Sequence, residues 1–62
     1  MNGTLNRSRM RQGLTQREVA RRARLTQAYI AEMESGRKRN PSVAALARIA
    51  RALSVPLIKL VK

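Results

Sequence analysis

Gln27, Ala28, Tyr29 and Glu32 are the residues of this chain whose types and spacing suit recognition chemistry. A glutamine can bond N6 and N7 of one adenine, an alanine can touch a thymine methyl, and a carboxylate can accept from cytosine N4. Glu32 follows Ala28 by one helical turn, so on a helix the two share a face. A carboxylate there also repels misplaced phosphates, so it selects by penalty as much as by attraction. Its competing role is an i, i+4 pairing with a neighbouring arginine, worth only ~0.3 kcal/mol. Tyr29, the sole aromatic residue, has two roles open: its ring can pack on Leu25 or reach a sugar-phosphate.

The charge balance points to a polyanion. Lys and Arg number 14 against three acids, a net charge of +11 on 62 residues, and 11 of the cations are arginine. Arginine's planar fork binds phosphate bidentately, and so large a charge is costly self-repulsion unless a partner neutralises it. A basic surface with so few aromatics suits duplex DNA better than single strands, which need stacking platforms. Cysteine and histidine are both absent. The sequence therefore predicts no disulfide, no metal site and no cofactor, the usual general base is missing, and enzymatic chemistry is the least supported function. No apolar run is long enough to span a membrane, and Met1 to Arg7 lacks the apolar stretch of a signal peptide. A cytoplasmic location is expected.

These side chains need short helices to position them. One domain, residues 1–62, is expected, with a small core, because a chain this short buries only ~60% of its unfolded surface. Thr4 is read as the cap of a first helix running to about Gln12 and ended by Gly13. Thr15 and Glu18 have the spacing of a capping box, opening a second helix to about Ala23 with an apolar stripe of Val19, Ala20 and Ala23. Arg24 and Leu25 form a turn. Thr26 caps a third helix to about Ser35, with Ile30 and Met33 inward and Gly36 as terminator. Ser42 caps a fourth, in which Val43, Leu46, Ile49, Ala50 and Leu53 follow helical spacing. Pro56 opens a last turn holding Leu57, Leu60 and Val61. The expected architecture is all-α, with five short helices.

With that layout the chain resembles the helix-turn-helix family of phage lambda-type and 434-type repressors and Cro proteins, also called the XRE family. The resemblance rests on Gly13-Leu14-Thr15-Gln16, Val19-Ala20, Ala23, Thr26-Gln27, Ile30, Glu34, Gly36, Pro41 and the stretch Leu46 through Leu53. It covers roughly residues 5 to 61. It implies a helix-turn-helix in helices two and three, with Gln27, Ala28, Tyr29 and Glu32 on the DNA bases. It further implies that Gln16 bonds a phosphate, that Arg17 and Arg11 lie near the backbone, and that Arg9 pairs with Glu34 in a partly buried, structural ion pair. Arg37, Lys38 and Arg39, directly after the recognition helix, are the next phosphate candidates, and Ser42 adds another. Arg48 and Arg51 are expected to face solvent.

Three departures stand out against this family. Arg24 and Ser54 occupy positions where glycine is common, and Ile58 replaces a usually polar residue. The surplus apolar surface of Leu57, Ile58 and Val61 suggests an isologous homodimer. The leading reading is a sequence-specific regulator, a repressor, binding a palindromic double-stranded DNA operator as a dimer. An antitoxin that binds a partner protein and represses its own operon uses the same features. A membrane-active cationic peptide fits less well, because the charges are spread over caps and turns.

Overall fold

The computed structural model describes residues 2–37 and 40–61. Five helices follow in order: α1 (Asn2–Arg11), α2 (Gln16–Ala23), α3 (Gln27–Ser35), α4 (Val43–Leu53) and α5 (Ile58–Val61). α2 lies between α3 and α4, while α1 packs on α3 and α5. One apolar cluster joins all five through Leu5, Val19, Ile30, Ile49 and Leu60, each fully buried.

The caps decide where the chain turns. Thr15 is extended, its hydroxyl accepts from the Glu18 N–H at 3.0 Å, and the Glu18 carboxylate accepts from the Thr15 N–H at 2.8 Å. Thr26 and Ser42 likewise accept from Tyr29 and Ala45, both at 3.0 Å. Each bond satisfies an amide that the first turn of a helix leaves without a partner.

α1 to α4 all end with the same pair of bonds. In α2, the Leu25 N–H reaches the Ala20 carbonyl and the Arg24 N–H reaches that of Arg21. Leu14 and Gly13, Arg37 and Gly36, and Val55 and Ser54 repeat the arrangement. This is the Schellman motif, which needs one left-handed residue. Gly13 and Gly36 supply it cheaply, with φ of 70° and 85°. Arg24 and Ser54 supply it at φ of 58° and 56°, against the steric preference of a residue with a Cβ. Leu14, Leu25 and Val55, each just past such a residue, pack back on the core.

Three expectations are corrected. α1 begins before Thr4, so Thr4 lies inside the helix and does not cap it; burying Leu5 completely on the first turn favours the longer helix. Val43 is 72% exposed because it opens α4 ahead of the packed turn, and Ala45 takes the buried place instead. Leu57 precedes α5 and packs partly on the core.

Candidate nucleic-acid interface

α3 buries Ile30 and Met33. At about 100° per residue, its opposite face comprises Gln27, Ala28, Ala31, Glu32 and Ser35. Gln27 and Ala28 are exposed at its first turn, and Glu32 is half-buried. Tyr29 falls toward the inward side, half-buried with its ring against the core, which favours the packing role left open for it. Ala31 was not singled out in the sequence. Alanine there carries no chemical signal, yet it occupies the middle of the outward face one turn after Gln27.

The other end of α3 is held by a carboxylate. Glu34 has a side chain only 6% exposed and accepts the Arg9 Nε at 2.6 Å and the Arg9 Nη2 at 3.1 Å. Asn6 Nδ2 at 2.9 Å and Gln16 Nε2 at 3.1 Å bond the same carboxylate. The third arm of Arg9 donates to the Leu14 carbonyl at 2.8 Å. Burial pushes the Glu34 carboxyl up, but hydrogen bonds from Arg9, Asn6 and Gln16, with the Arg9 charge, outweigh it and hold the carboxyl below its usual range. The ion pair stands where the resemblance implied. Asn6 and the second task of Gln16 were not legible, because nothing in the spacing of three residues on three elements announces a shared acceptor.

Gln16 opens α2 and lies at the α3 end that leads to Arg37. Its amide is therefore steadied by Glu34 while its position remains at a helix N-terminus, where anions are favoured. Arg17, Arg37 and Ser42 are exposed. Lys38 and Arg39 lie outside the described residues. Arg11 is grouped with Arg7 and Lys59 around a separate shallow depression on α1. Of the proposed dimer residues, Ile58 is 62% exposed and Leu57 is turned partly inward; the Val61 side chain lies outside the described residues. Among the described residues no group of acids could hold a metal, and no helix is long and apolar enough to cross a membrane.

Residues 5–60 match the helix-turn-helix family. The chain belongs to that family. As a helix-turn-helix domain it is 46% identical over 55 residues to an uncharacterized HTH-type transcriptional regulator, y4dJ, of Sinorhizobium fredii, spanning 89% of this chain and 70% of that one. It is 48% identical over 50 residues to the transcriptional regulator ClgR of Mycobacterium tuberculosis, spanning 81% of this chain but only 44% of the regulator. The crystal structure of the clp gene regulator ClgR from C. glutamicum superposes with a TM-score of 0.84 at 32% identity, over 97% of this chain and 77% of that one. The helix-turn-helix consists of α2 and α3, within a lambda-repressor-like set of five helices.

Proposed function

We propose that this domain is a sequence-specific double-stranded DNA-binding transcriptional regulator, a repressor that occupies a palindromic operator as a dimer. The observation that carries the reading is the outward face of α3: Gln27 and Ala28 exposed at its start and Glu32 one turn on, on a helix locked to α1 and α2 through Glu34. α3 enters the major groove, with Gln27, Ala28 and Glu32 at base edges and Tyr29 at their margin. Gln16, Arg17, Arg37 and Ser42 take phosphates, joined by Lys38, Arg39 and Arg11. The relatives named as transcriptional regulators support the regulatory role. The exposure of Ile58 supports an isologous contact between two chains, which would place half-sites about one helical turn, ~34 Å, apart.

The test is selection from a pool of random duplexes at physiological salt, with the stoichiometry followed on the enriched site. Enrichment of one palindrome with two chains per site is expected. Uniform, salt-sensitive binding with no enriched site would defeat the reading.

A further inference from the structure

The sharpest unexplained feature lies where the C-terminal ends of α2 and α4 meet. Arg22, Arg24, Arg48 and Arg51 line a hollow of about 600 Å³ together with Ala23 and Ala52. It is separated from Gln16 by the length of α2, ~12 Å. All four arginines are exposed, and no ion pair to any of them is formed among the described residues. The nearest carboxylate in sequence, Glu18, accepts from the Thr15 N–H at the start of α2 and feels the charge of Arg22 one turn on without forming an ion pair with it.

A basic last turn complements the helix dipole, which accounts for Arg22 and Arg51. It does not account for Arg24. That residue stands in the left-handed region at φ 58°, where glycine would be less strained. Ser54, also left-handed, lines the same hollow. Strain kept beside a concentrated charge is a pointer to function. The hollow has the volume of a small-ligand site, but its walls are supplied by four arginines together with Ala23, Ala52 and Ser54. Such walls suit closely spaced, multiply charged oxygens, and each fork can bind bidentately. A flat stripe would suit a duplex backbone better than this concave cluster does.

The geometry points to a second anion site, which takes a compact polyphosphate anion of the pyrophosphate or nucleoside-polyphosphate class. It is independent of the DNA-reading face, so its failure leaves that assignment untouched.

The experiment is calorimetric titration of the domain with sodium pyrophosphate at an ionic strength of ~0.15 M, where surface attraction is largely screened. One saturable site per chain is expected. R48Q/R51Q should weaken it by roughly tenfold or more, since two charge-assisted bonds are lost, whereas R17Q/R37Q should change it by less than about threefold. Arg24→Gly gives a readout of opposite signs: pyrophosphate affinity falls while Tm rises by several degrees as the strain is released. Equal weakening by the two double variants, absence of a saturable site, or Arg24→Gly affinity unchanged would each overturn the proposal. So would a short random duplex that depends on Arg48 and Arg51 when pyrophosphate does not bind.

Discussion

Gln16, the first residue of α2, donates its side-chain amide to Glu34, near the end of α3, across 3.1 Å. The residue proposed to hold a phosphate and the helix proposed to read bases are thereby tied through one carboxylate, which Arg9 and Asn6 of α1 also bond. The angle between α2 and α3 is thus fixed by polar bonds as well as by the packing of Ala20, Ala23 and Ile30.

Glu34→Ala should therefore cost more than a surface substitution. Arg9 would keep its charge at 14% side-chain exposure with no carboxylate beside it, at a cost of about 3 kcal/mol. Urea denaturation followed by circular dichroism measures this. A loss below about 0.5 kcal/mol, typical of a solvated pair, would contradict it.

The same carboxylate sets an acid limit. Glu34 and Glu18 are both held below the ordinary 4.5, Glu34 by the side-chain bonds and charge that overcome its burial, Glu18 first by the Thr15 backbone N–H. A carboxyl more acidic in the folded chain than in the unfolded one stabilises the fold fully above its unfolded pKa. That contribution disappears as pH falls through the folded value. Stability should hold from neutrality to about pH 5 and drop below it. Glu34→Gln should be less stable at neutral pH and show a flatter acid limb; parallel limbs for the two proteins would refute the assignment.

Ser54→Gly should stabilise the domain by about 1 kcal/mol, because a left-handed φ is unfavourable for any residue with a Cβ. The side chain of Ser54 is exposed at the end of α4. Thermal melts at fixed ionic strength report the change, and a lowered Tm would mean that the serine makes a compensating interaction.

On DNA, Gln27→Ala and Arg37→Ala should differ in kind. The first should cost about 1–3 kcal/mol on the selected site and relax preference at one base step. The second should weaken selected and random duplexes alike and reduce the salt slope by about one. Binding isotherms over a salt series on both duplexes distinguish them. If the two variants behaved identically, the division between base and phosphate contacts would be wrong.

Sequence legibility followed the locality of the interactions. The bounds of α2 and α3 could be read because Thr15, Glu18, Thr26 and Gly36 act within four residues of themselves. The start of α1 could not, since it depends on Leu5 meeting a core assembled from distant segments. Val43 fitted the helical period but lay at the helix start, where periodicity says nothing of what covers it. The Arg9–Glu34 pair was legible only through the family resemblance. The four-arginine hollow was not legible at all, because α2 and α4 bring together residues almost 30 positions apart.

Leu60 has a consequence for synthesis. It is fully buried in the same cluster as Leu5, with α5 packed on α1. A ribosome delivers residues in order, so a nascent chain holding the α2–α3 unit still lacks the side chain that completes cover over α1. The final core, and with it a settled orientation of α3, must await emergence of Leu60 from the exit tunnel.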